Sequence, residues 1–174
     1  MVVQPAALPR ILVQRASWKP PQANFFKVNY DGAVFSDSNI SGIGVVIWNS
    51  DGQVIASLAQ QLNQAYKAIE IEAMEATWAS EFAVELGLDR VVVKGDSSIV
   101  TTTLKTKKPS LVSYGFLISD VYVFERFFFS SELSCSYTKR EGNKVAHYLA
   151  KLAINFPDSV IWIEDVPPLV FSFV

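Results

Sequence analysis

The chain has 174 residues, room for one domain of about 150 residues with a short tail at each end. Half of the residues are hydrophobic and 18% are charged, which excludes a disordered, collagenous or low-complexity chain. Its single cysteine, Cys135, excludes an internal disulfide and points to a reducing, intracellular compartment, nuclear or cytoplasmic. No stretch resembles a membrane span of ~20 apolar residues, and 15 basic against 17 acidic residues (net −2) do not by themselves announce a nucleic-acid partner.

In chain order, residues 1–21 read as an extended arm or linker, with Pro5, Pro9, Pro20 and Pro21 and no clear period. Residues 1–30 hold Arg10, Arg15, Lys19 and Lys27 and no acid, so an organelle-targeting reading of the arm competes with the linker reading. A domain follows over 22–174, closed by an apolar tail. Phe25 to Tyr30 reads as a strand ending at the turn signal Asp31-Gly32. Gly42–Trp48 and Gln53–Leu58 form two more, joined by Asn49-Ser50-Asp51-Gly52 as a hairpin. A helix spans 68–86 and stops at Gly87. Val91-Val92-Val93 is a short buried strand ending at Gly95-Asp96, and Ser97 or Ser98 opens a helix to about Lys107. Further helices are expected over 111–129 and from Asn143 to Ile154, with a strand from Glu132 to Thr138 between them. A hairpin first, then strands mixed with helices, gives an α/β class with a mixed sheet flanked by helices.

Three carboxylates form a candidate site. Asp31 and Asp96 each end an apolar strand, although a turn explains the first and a helix cap the second equally well. Glu72 falls on the small-residue face of its helix with Ala73, Ala76, Ala79, Ser80 and Ala83, whereas Glu70, Glu81 and Glu85 point elsewhere. That position sets Glu72 against the sheet, where an ionised carboxylate needs compensation; a first-turn glutamate favoured by the helix dipole is the competing account. Clustered acids repel unless cations neutralise them, and an all-oxygen donor set suits Mg²⁺ or Mn²⁺ rather than zinc. Such ions activate water for phosphodiester cleavage.

Val28-Asn29-Tyr30-Asp31-Gly32-Ala33, Gly42-Ile43-Gly44-Val45-Val46-Ile47, the Glu72 helix through Glu85-Leu86-Gly87, Val91-Val92-Val93-Lys94-Gly95-Asp96-Ser97 and Arg140 through Lys151 appear in that order. Together they resemble type 1 ribonuclease H domains. Trp18-Lys19-Pro20-Pro21 and Trp162 through Pro168 are similar to a plant branch that looks retrotransposon-derived, and the resemblance covers about residues 18–170. It implies a ribonuclease H-like fold with a five-stranded mixed sheet. It also implies cleavage of the RNA strand of RNA–DNA hybrids with two Mg²⁺ or Mn²⁺ ions held by Asp31, Glu72 and Asp96. Asn143 matches an asparagine near the site, and Ser98 a position that touches nucleic acid.

At the fourth acidic position the best-known nucleases of the family carry aspartate and this chain carries His147, its only histidine, as similar plant domains often look to do. It shares a helix edge with Asn143, and a histidine bonded to a backbone carbonyl is the structural alternative. An imidazole among the ligands weakens the second metal site and favours Mn²⁺ over Mg²⁺. Lys105, Lys107 and Lys108 form a basic run that either contacts phosphates or ends a solvated helix. Phe127-Phe128-Phe129 reads as core, Cys135 lacks a base partner, and Gly42-Ile43-Gly44 sits in a strand rather than a dinucleotide loop. The expected function is hybrid cleavage. The alternative is a catalytically weak or inactive domesticated module that binds nucleic acid or a protein.

Overall fold

The computed structural model describes residues 18–106 and 132–174. The expected helix over 111–129, Phe127 to Phe129, Lys107, Lys108 and residues 1–17 of the arm lie outside the described residues. Strands β1 (Phe26–Phe35), β2 (Ile40–Trp48) and β3 (Val54–Leu62) form a meander, followed by α1 (Ala68–Glu85), β4 (Arg90–Gly95) and α2 (Ser98–Thr106). Then come β5 (Glu132–Tyr137), α3 (Lys144–Leu152) and β6 (Val160–Ile163). All six strands share one mixed sheet in the order β5-β4-β1-β2-β3-β6. β4 lies parallel to β1 and β5, and the other neighbours are antiparallel.

Two expectations are corrected. The sheet has six strands, not five, because Val160–Ile163 pairs with Ala56–Ala59 at the edge. Four residues are too few for an alternating pattern to stand out from the apolar tail. Nor does the first strand end at Asp31-Gly32: Asp31 pairs with Gly44 and Gly32 with Ile43, so ladder hydrogen bonds override the local turn tendency. The Asn49–Gly52 hairpin does form, with Asn49 Oδ1 accepting from the backbone N–H groups of Asp51 and Gln53 at 3.0 and 2.9 Å.

The strand periodicity divides the core. Val28, Tyr30, Ile43, Val45, Ile47, Val91 and Val93 face α1, whose Ala73, Ala76, Ala79 and Ala83 allow close approach. Val46 and Trp48 face the other way, against Val145, Ala146 and Leu149 of α3. Burying a leucine such as Leu149 contributes roughly 1.5–3 kcal/mol. Gly44 admits α3: a Cβ there would lie 2.2 Å from the Ala146 carbonyl oxygen. The helix therefore rests on the β2 backbone, which brings its His147 edge over β1. α3 packs on β1, β2 and β3 and has no comparable contact with β4 or β5. None of the described helices is long and apolar enough to cross a membrane.

Candidate active site

The site lies where β1 passes the ends of α1 and β4. Asp31 is 4% exposed on β1, and its two carboxylate oxygens are divided between neighbours. Oδ1 accepts the Gly32 N–H at 2.9 Å, and Oδ2 lies 2.8 Å from His147 Nδ1. Burial, then the negative charge of Asp96, pushes the Asp31 carboxyl up to about 7; the Gly32 N–H and Arg140 oppose this, and Glu72 adds to it. Burial lowers His147, and the Lys151 and Arg140 charges add to the effect. Both groups thus move toward their uncharged forms, so the contact is a hydrogen bond of a neutral imidazole rather than an ion pair. With Asp31 ionised, Nδ1 must carry the proton, since two acceptors cannot face each other at 2.8 Å. Nε2 then presents a lone pair. With Asp31 protonated, the roles reverse.

Glu72 sits half-buried in the first turns of α1, and the Ser97 hydroxyl donates to its Oε2 at 2.7 Å. Ser97 also caps α2 by accepting from the Val100 N–H at 3.3 Å, which leaves Asp96 outside the capping role. Asp96 faces the Arg140 guanidinium at 3.8 Å, a loose and solvent-exposed pairing. Glu70 is taken up by α1 itself, its Oε2 accepting from the Lys67 N–H at 3.1 Å.

The small-residue face of α1 predicts Glu72 against the sheet, yet the fully buried acid on this helix is Glu75, 2% exposed. Its carboxyl occupies the space a side chain would need at Gly32: a Cβ there would lie 1.9 Å from Glu75 Oε1. Burial raises the Glu75 pKa well above the usual carboxylate range, and the charges of Asp31, Asp96 and Glu72 raise it further, all favouring the protonated acid. A signal for it was present. At ~100° per residue, Glu75 lies about 20° from Phe82 and about 40° from Ala79, in the seam between the bulky and small faces.

Asn143 is buried, and its amide joins α3 to the sheet. Nδ2 donates to the Tyr30 carbonyl at 2.7 Å, and Oδ1 accepts from Asn29 Nδ2 at 2.9 Å. Asn29 is a partner that the sequence patterns do not mark. Ser98 is exposed at the start of α2 and Lys105 is exposed in its last turn.

The donor set fits a hard divalent cation in chemistry: three oxygen-bearing acids, with a like-charge repulsion on Asp31 that such a cation would relieve. Among the described residues, however, no group of three or more His, Cys, Asp or Glu side chains converges closely enough to enclose a metal ion.

The fold is shared with known proteins. Ribonuclease H1 from the halophilic archaeon Halobacterium salinarum is 20% identical, with 75% of this chain and 98% of that one covered and a TM-score of 0.67. LC11-ribonuclease H1, isolated from compost and solved in complex with an RNA/DNA hybrid, is 18% identical over 75% of this chain and 96% of its own, TM-score 0.66. The ribonuclease H domain of prototype foamy virus is 17% identical over 74% and 92%, TM-score 0.58. At these identities the likeness is one of fold. No curated protein matches the sequence. The reverse transcriptase-like family matches residues 29–153, most of the chain and all of the candidate site, and the chain belongs to that family as a ribonuclease H-like domain.

Proposed function

We propose that the protein is a divalent-metal-dependent nuclease that hydrolyses the RNA strand of RNA–DNA hybrids. The observation that carries this reading is the buried Asp31 carboxyl on β1, with Ser97-held Glu72 at the start of α1 and Asp96 just past β4 near enough for their charges to raise it. Uncompensated acids in one place are costly, and they are retained where a cation is to be bound. The family membership and a structural neighbour solved with an RNA/DNA hybrid support the choice of substrate.

Asp31, Glu72 and Asp96 would hold Mg²⁺ or Mn²⁺, and an ion there supplies water activation and neutralisation of the leaving oxygen. The chain's own groups prepare the site. Ser97 aims Glu72, and the Asn29–Asn143 clamp ties α3 to β1. His147 holds a proton on Nδ1 against ionised Asp31 and leaves Nε2 free to accept one. Ser98 and Lys105 lie exposed on α2 and would contact the bound strand. A histidine in the fourth position favours Mn²⁺, because imidazole is a poorer ligand for Mg²⁺. Trp18-Lys19-Pro20-Pro21 supports an origin in the plant retroelement branch.

A second reading, a catalytically weak or inactive module that binds nucleic acid, is favoured by one observation. His147 engages Asp31 directly, and no described trio of ligands is drawn together. Cleavage of an end-labelled hybrid in Mg²⁺ and in Mn²⁺ separates the two. The nuclease reading expects Mn²⁺-stimulated cuts in the RNA strand that Asp31→Asn abolishes. Binding without cleavage in either ion supports the module.

A further inference from the structure

On the face of the sheet that carries Asp31, β1 also presents Lys27 and Asn29, and their parallel neighbours Val92 and Lys94 on β4 face the same way. α3 stops at β1 on this side and leaves β4 and β5 uncovered by any described helix. The uncovered strip is a groove. One section, of about 560 Å³, is lined by Lys19, Lys27, Lys94 and Ser134; the next, of about 210 Å³, shares the three lysines and adds Asn29 and Thr138. No carboxylate lines either section, and no described acid pairs with any of the three lysines.

Lys27 makes this more than a scatter of surface charge. It is only 6% exposed, its ammonium lies 4.5 Å over the Trp18 ring, and it donates to the Lys19 carbonyl. Burial and the Lys94 charge hold its pKa down at about 8. A fixed cation in a low-dielectric wall focuses positive potential into the groove. Asn29 is two residues from Asp31 along β1, ~7 Å, so the groove opens directly beside the acidic site. Lys27 lies ~13 Å from Asp31, a length that about four nucleotides of a duplex strand cover.

We infer that this lysine groove is a phosphate-backbone track that grips the nucleic-acid strand running off the acidic site. The inference rests on the nuclease reading for the strand's identity. It also resolves a difficulty of charge. An acidic chain with net −2 needs a local basic surface to hold a polyanion, and the groove along β1 and β4 brings together three lysines with no acid among its described lining residues. A nucleic-acid strand is favoured over an acidic peptide because the nuclease reading places a phosphodiester at Asp31, beside the groove.

The test is binding, measured by fluorescence anisotropy of a labelled hybrid in EDTA across a salt series, so that cleavage does not enter. Lys19→Gln/Lys94→Gln is compared with Asn155→Asp/Ser159→Glu, which shifts net charge equally at the β3–β6 edge of the sheet. The track predicts that the lysine variant loses at least ~10-fold in affinity at 50 mM salt, and that its salt slope falls by about 1–2, while the control stays near wild type. Equal effects of both variants, or none, overturn the track even if the wild type cleaves. Lysine-dependent binding without cleavage in any metal overturns the nuclease reading and leaves the track standing. Wild-type protein that binds no hybrid at 50 mM salt overturns the track, whereas the nuclease reading falls on absence of cleavage in both Mg²⁺ and Mn²⁺. Circular dichroism melts of both variants show that they are folded.

Discussion

Asp31 and Glu75 carry the clearest residue-level consequences. Each has a folded-state pKa above its unfolded one, to about 7 for Asp31 and well above the carboxylate range for Glu75. The folded state then binds more protons than the unfolded chain, so stability is fullest below the unfolded carboxylate pKa and is lost as pH rises through the folded values. Without divalent ions the melting temperature should therefore fall between about pH 4 and pH 7 and beyond. Asp31→Asn should flatten the part of that slope ending near pH 7, leave the neutral-pH melting temperature equal or higher, and abolish cleavage. A large loss of stability in Asp31→Asn would show that the acid is structural. Glu75→Gln keeps the shape of a protonated acid and should be nearly neutral at pH 7. Gly32→Ala drives a methyl into the Glu75 carboxyl and should cost about 1–3 kcal/mol, much of it recovered by adding Glu75→Ala. Denaturant midpoints of the two singles and the double measure that coupling.

Placement of the site depends on how the elements meet. Gly44 lets α3 rest on β2, and His147 reaches Asp31 only because of that approach. Gly44→Ala puts a methyl against the Ala146 carbonyl, which is backbone and cannot rotate away. It should cost more than ~2 kcal/mol and detach the imidazole, seen as a changed His147 titration by NMR. Ser97→Ala removes an α2 cap and the Glu72 hydrogen bond together, at about 1 kcal/mol of stability and with a larger loss of activity. The ordered elements were legible where periodicity is long: α1, β2 and β4 stand near their expected bounds. Four-residue β6 was not, because its pairing with β3 is a long-range event that leaves no local pattern. The same holds inside the site. Strand ends and helix angle single out Asp31, Asp96 and Glu72, although β1 runs on past Asp31 to Phe35 and Glu75 is the more buried acid of α1, whereas the His147–Asp31 contact and the Asn29–Asn143 clamp join residues more than 110 positions apart. Glu75 was readable from its helical angle.

For the molecule as a whole, net charge turns out to be a poor guide to partners. Acids gather at one end of the central strands, and lysines line the open face beside them. A dication bound among the acids and a strand held by the lysines would use these regions together, with a grip that weakens steeply with salt. The measurement that bears most directly on the central claim is cleavage of an end-labelled RNA–DNA hybrid by the wild type, Asp31→Asn and His147→Asp, in Mg²⁺ and in Mn²⁺ side by side. The account predicts RNA-strand cuts that are stronger in Mn²⁺ for the wild type, absent in Asp31→Asn, and restored in Mg²⁺ by His147→Asp. Cleavage that survives Asp31→Asn, or no cleavage by the wild type and His147→Asp in either ion, would contradict it.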